Sequence, residues 1–345
     1  MKSTRIISKV TASVTNTLSQ KKLVLFPFLF LLILSGFLYR IVYVPMHYSI
    51  WAFGDAQSYN AGVHFAREGF FDHYFLPMVS PGDPNSLIPN NGPNGHYANY
   101  PMLEPILNGL GIKFAYRLGI HDDQKIRRLL EVFYVLCTSI GVLAMYFALS
   151  RLYTGIIASL FALYWLISPW VTGFGDSPCD QPLDICFLGL LSFELVRSGE
   201  TYFDRKFSAS LAVLCFLISR NGIEISIMSG PFCLIYLLAD ALGRRRSISS
   251  TIKFWIVNVA LPILAGLGLH IWQGYLDFAN TQSFYDHWRA IFDAKGNLKT
   301  SLEPSRFWSF LAEYPHNYLR FLLLVAFIFL GGSALYRGLA KKAVS

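Results

Sequence analysis

Nine stretches of the chain are predominantly apolar: 23–44, 103–119, 129–150, 153–171, 183–196, 207–219, 225–242, 254–276 and 319–336. About 20 apolar residues in helical form cross ~30 Å of hydrocarbon, and within lipid every backbone N–H and C=O has to be satisfied inside the segment. Several of the runs approach that length. With 54% hydrophobic and only 14% charged residues, the chain is expected to be an all-α, multi-pass membrane protein forming one membrane domain over 1–345.

The net charge is +8. No basic stripe with interleaved aromatics lies outside the apolar runs, so nucleic-acid binding is not expected. The excess falls in short connections and tails, where it orients helices. Cys137, Cys186, Cys215 and Cys233 lie in apolar runs and Cys179 in a short loop. None has the spacing of a zinc site, and an odd, scattered set argues against a disulfide framework. The basic stretch from Lys2 to Lys22 precedes a run that continues to Val44 without a small-x-small cleavage site. It reads as a tail before an uncleaved first helix rather than as a signal peptide.

Charge decides the topology. Segment 103–119 contains Glu104, Pro105, Asn108, Lys113 and Arg117. If it does not span, the N-terminal lysines and arginines share one side with Arg151, with Arg197, Arg205 and Lys206, with Arg244–Arg246 and Lys253, and with Arg337, Lys341 and Lys342. More than half of the 29 Lys and Arg then lie on one face. If it spans, the triple arginine moves to the opposite side, against the positive-inside rule. The expectation is eight spanning helices, with both termini cytoplasmic in a bacterial inner membrane. Segment 103–119 becomes an interfacial or re-entrant helix with Ile106, Leu107, Leu110, Phe114 and Leu118 on its apolar face. A cytoplasmic tail covers 1–22, and long outer loops cover 45–128 and 277–318.

Chemistry is expected on the outer loops. Asp55 lies just past the first apolar run, ahead of a predicted juxtamembrane helix over 55–70 on which Tyr59, Val63, Ala66 and Phe70 share a face. An N-cap role for Asp55 is compatible with a chemical one. The stretch from Pro77 to Asn99 is rich in Gly, Pro and Asn and reads as loop. It leads into His96-Tyr97-Ala98-Asn99-Tyr100-Pro101-Met102-Leu103. Asp176, Asp180 and Asp184 cluster before and within the 183–196 run, as caps, turn formers or ligand-binding acids. Arg220-Asn221-Gly222-Ile223-Glu224 places a cation and an acid at a membrane lip, to pair with each other or to hold a phosphate.

Together these pieces resemble the GT-C superfamily of membrane glycosyltransferases, in particular the group related to protein O-mannosyltransferases and bacterial aminoarabinose transferases. The resemblance covers residues 20–240 or so. It rests on Asp55 with Tyr59 four residues on, on Tyr100-Pro101-Met102-Leu103 closing the first loop, on Ser168-Pro169-Trp170 followed by Asp176 and Asp180, and on Arg220-Asn221-Gly222. Met102 stands where a second proline is usual and Arg220 where lysine is commoner. The resemblance implies a bundle of about eight helices with interfacial helices in the first outer loop. It implies transfer of a sugar from a polyprenyl-phosphate donor to a hydroxyl on a lipid, glycan or protein acceptor, with inversion. Asp55 would act as base, and Arg220 would hold the donor phosphate. Tyr59, His96, Tyr97, Asp176 and Asp180 would contact substrate. No cofactor is required, with a divalent metal at Asp55 as the alternative. The loop containing Asp286-His287-Trp288-Arg289 and Trp308 would wall or lid the site. The competing classes are a transporter or flippase of lipid-linked sugars and a non-catalytic component of a polysaccharide assembly system.

Overall fold

The computed structural model describes residues 52–77, 103–152, 175–201, 207–244 and 246–278, with shorter pieces near 30–42, 158–171 and 284–289. The described residues contain helices and no strands. They are α1 (Ala52–Glu68), α2 (Leu103–Arg117), α3 (Asp123–Leu152), α4 (Asp180–Thr201), α5 (Ala209–Asn221), α6 (Ile223–Gly243), α7 (Ile248–Trp255), a π turn (Ile256–Ala260) and α8 (Leu261–Phe278). The run at 319–336 and most of 153–171 lie outside the described residues.

Among the described residues, three helices are long and apolar enough to cross a membrane: Asp123–Leu152, Ile225–Gly243 and the continuous rod Ile248–Phe278. The chain thus has the character of an all-α membrane protein. Three boundaries differ from expectation. α1 starts at Ala52, so Asp55 lies in its first turn and not at its N-cap. α3 begins at Asp123, ahead of the apolar run at 129–150. α8 runs through Asp277 into the segment expected as loop.

Segment 103–119 does not join the spanning set. One face of α2 buries Glu104, Pro105, Asn108, Gly109, Ile112 and Ala115, while Leu110, Phe114 and the following Leu118 are more than half exposed. Leu110, Phe114 and Leu118 of the apolar stripe read from the sequence therefore point outward, while Leu107 packs against the core. The inward face sets Glu104 and Asn108 among Pro105, Ile112 and Ala115.

The core packs α3 against α4 and extends to Phe37 and Ile41 of the first apolar run. Its closest seam is backbone on backbone. A Cβ at Gly189 would stand 2.0 Å from the carbonyl oxygen of Gly141. Small residues at such a seam let two apolar helices approach closely enough for dispersion to hold them, because lipid tails offer no hydrophobic drive to pack. Cys137 meets Cys186 across this seam, and Cys215 meets Cys233 between α5 and α6, each pair as thiols in hydrogen-bonding contact.

The π turn has a local cause. Pro262 lacks the N–H that would bond Asn258, and its ring crowds that carbonyl. The helix widens there, with Leu261 N–H donating to Ile256 O. The Asn258 side chain is buried, donates to Phe254 O (2.8 Å) and accepts the backbone N–H of Ser208 (2.6 Å). Ser208 is the N-cap of α5. Asn258, in the π turn of one rod, thereby anchors the start of the helix that carries Arg220.

Candidate functional site

Polar side chains from α1, α2, α3, α4 and α5 converge where α4 starts and α5 ends. Asp180 is the first residue of α4 and Asp184 follows one turn later. Gly222, in extended conformation, stops α5 directly after Arg220 and Asn221. Asn221 Nδ2 donates to Asp184 Oδ1 (2.6 Å) and to the Asp180 carbonyl (3.1 Å), binding the end of one helix to the start of the other. Thr138 Oγ1 donates to Gly175 O (2.8 Å) and fixes the loop that carries Asp176, which is buried.

From α2 comes Glu104, which is fully buried. Ser58 of α1 donates its hydroxyl to Glu104 Oε1. Oε2 has no hydrogen-bond partner among the described residues. Burial first, and the negative charge of Asp180 next, push the Glu104 carboxyl well above the usual carboxylate range, against the pull of the Ser58 hydrogen bond; Asp184 adds to the rise. Glu104 therefore holds its proton more tightly than a free glutamate does. One turn along the same face, Asn108 Oδ1 accepts a 2.8 Å hydrogen bond from the buried Tyr134 hydroxyl.

Arg220 is 5% exposed. Its Nη2 donates to Gln273 Oε1 of α8 (2.7 Å) and its Nη1 to the Gly266 carbonyl (3.4 Å). Among the described residues it forms no ion pair. The side chain of Glu224, the partner offered by the sequence, lies outside them. Gln273 belongs to the buried face of α8, with His270 and Asp277. Beyond the end of that helix the rings of Phe278, Phe284 and His287 cluster, with Phe278 and His287 centroids 4.8 Å apart. Burial lowers the basicity of His287, and the charge of Asp277 partly restores it.

The residues expected from sequence fall out as follows. Asp180 and Arg220 sit at the same end of the bundle, on α4 and on the residue next to Asn221. Asp176 is buried in the loop leading into α4. Asp55 is in α1, three residues ahead of Ser58, and its side chain lies outside the described residues. Tyr59 is turned to α3, where its hydroxyl donates to Asp123 Oδ1 (3.2 Å). Half-burial and then the Asp123 charge push that phenol up. His96, Tyr97 and Trp308 lie outside the described residues. No group of three or more His, Cys, Asp or Glu among the described residues is arranged to hold a metal ion.

Glu104, Asn221 and Gln273 were missed as site residues. Glu104 and Asn108 had a signal: they are four apart, opposite the apolar stripe of a helix too polar to span. Gln273 had none, because a neutral amide in an apolar run carries no pattern.

No family model matches the chain, and no curated protein matches it.

Proposed function

We propose that the protein is a membrane glycosyltransferase that moves a sugar from a polyprenyl-phosphate donor to a hydroxyl acceptor at the outer membrane face. The observation that carries this reading is the pairing at one end of the bundle. The Asp184 carboxylate and the Asp180 backbone carbonyl both bond Asn221, with Glu104 in the field of the two aspartates, and the next residue, Arg220, is a buried cation held, among the described residues, by uncharged partners.

Displacement at an anomeric carbon needs a base for the acceptor hydroxyl and a fixed cation for the leaving phosphate. Asp55 is the proposed base. It lies on the helix whose Ser58 contacts the acid group. Arg220 is the proposed phosphate ligand, in an environment where fixed charges act more strongly than in water. Direct displacement inverts the sugar carbon. Asp176, Asp180, His96 and Tyr97 are proposed to meet sugar or acceptor hydroxyls, with a GT-C-like bundle of about eight helices as the frame. In this reading the site faces outward, the termini are cytoplasmic and the membrane is a bacterial inner membrane. The test is release of labelled sugar from a polyprenyl-phosphate donor by purified protein, with Asp55→Asn as the inactive control.

A second reading has its own observation. His270, Gln273 and Asp277 form a buried polar face on the membrane-length rod that ends in α8. Such faces also serve carriers. Translocation of the labelled donor across vesicles without sugar release would select a flippase instead.

A further inference from the structure

We propose that Gln273 is the positioning residue of a phosphate seat centred on Arg220: it fixes the guanidinium without cancelling its charge. This rests on the reading of Arg220 as the donor-phosphate ligand.

An arginine buried between two apolar helices is costly unless paired. Here α8 offers it the Gln273 amide oxygen and the Gly266 carbonyl, both neutral. The amide orientation follows from chemistry: a guanidinium has only donors, so the oxygen of Gln273 has to face it and the NH2 is left to donate elsewhere. The guanidinium also carries more donors than these two partners use. The acid on the same face, Asp277, lies one turn further along, and the Arg220 side chain meets Gln273 instead.

Backbone proximity makes the contact possible. A Cβ at Gly266 would stand 1.8 Å from Ser219 Oγ and 3.1 Å from Phe216 O, so a larger residue there would have to displace the Ser219 hydroxyl and ease α8 away from α5. A glutamate at 273 would turn the same geometry into a neutral Arg–carboxylate pair. A glutamine keeps one positive charge and adds an N–H donor beside it.

That seat suits a phosphodiester, which carries one negative charge. It suits still better the monoester released on transfer, whose charge approaches about −1.5 to −2 at neutral pH. Binding that strengthens as charge develops on the leaving group is what accelerates displacement.

The test uses the full-length protein in lipid nanodiscs and two probes, a short-chain polyprenyl monophosphate and the corresponding polyprenol. Gln273→Glu is expected to weaken binding of the phosphate about 100-fold. Gln273→Met, which removes the hydrogen bond and adds no charge, is expected to weaken it about tenfold. Polyprenol binding stays unchanged in both, a split that general structural damage would not produce. If Gln273→Glu does not assemble, Gln273→Met decides alone. Wild-type phosphate affinity in the Gln273 variants, with affinity lost in Arg220→Ala, overturns the role of Gln273 and leaves Arg220 in place. Wild-type affinity in Arg220→Ala removes the phosphate seat itself.

Discussion

Asn221 and Asp184, 37 residues apart in sequence, share a 2.6 Å hydrogen bond that joins the last residue of α5 to the start of the second turn of α4. Because Arg220 precedes Asn221, this bond also sets where the cation stands relative to the acids. Asn221→Ala removes both the Asp184 contact and the one to the Asp180 carbonyl. The expected cost is about 1–3 kcal/mol, the range for stripping partners from buried polar groups. Thermal unfolding in detergent measures it, and activity is expected to fall further than stability alone accounts for. An unchanged melting midpoint would show that the α4–α5 junction is held elsewhere.

Glu104 supplies a pH dependence whose sign is fixed by its raised pKa. From about pH 4.5, where a free glutamate ionises, up to the folded value, the folded chain keeps a proton that the unfolded chain has lost. Stability therefore falls as pH rises through that window, and the contribution is fully present only below it. Glu104→Gln keeps an oxygen to accept from Ser58 and has no proton to lose. The variant is expected to fold and to lose this downward slope when unfolding is followed from about pH 5 to about pH 9. A slope equal to that of the wild type would assign the titration to another group.

The two faces of α2 show what a sequence discloses and what it conceals. Leu110, Phe114 and Leu118 recur at helical spacing, so the outward stripe was legible from periodicity. The inward role of Glu104 was not: an acid in a first helical turn already has a reason to be there, complementing the helix dipole. Packing against its neighbours, with Ser58 of α1 bonded to Glu104, buries that turn. The Arg220–Gln273 bond spans 53 residues and ends on an uncharged amide, so no local pattern announces it. The α3–α4 seam is similar. Nothing in the local sequence at Gly141 and Gly189 marks the two backbones as touching.

That seam gives a paired mutational test. Gly189→Ala would place a methyl 2.0 Å from the Gly141 carbonyl oxygen, a backbone atom that cannot swing aside. The expected loss is about 1–3 kcal/mol or more, as for other overpacked cores. Gly268→Ala, in α8, meets nothing within 4 Å and is expected to be neutral or slightly stabilising, by up to about 1 kcal/mol from helix propensity. Equal melting midpoints for the two variants would mean that α3 and α4 are not in backbone contact.

Asp55→Asn and Arg220→Ala separate the two halves of the proposed transfer. The amide at 55 keeps the size of the side chain and cannot take a proton, so sugar transfer is expected to be abolished while expression and membrane insertion persist. A general base contributes about 10²–10⁴-fold, so the residual rate should fall at least that far. Arg220→Ala is expected to act on the donor, raising the KM for the polyprenyl-phosphate sugar much more than the KM for the acceptor. Binding energy lost equally for both substrates would mark Arg220 as a structural residue of the α5–α8 junction, and full activity in Asp55→Asn would move the base elsewhere. Both variants need scoring together, because an arginine that merely braced α8 would leave the acceptor and donor constants in their wild-type ratio even as total activity fell.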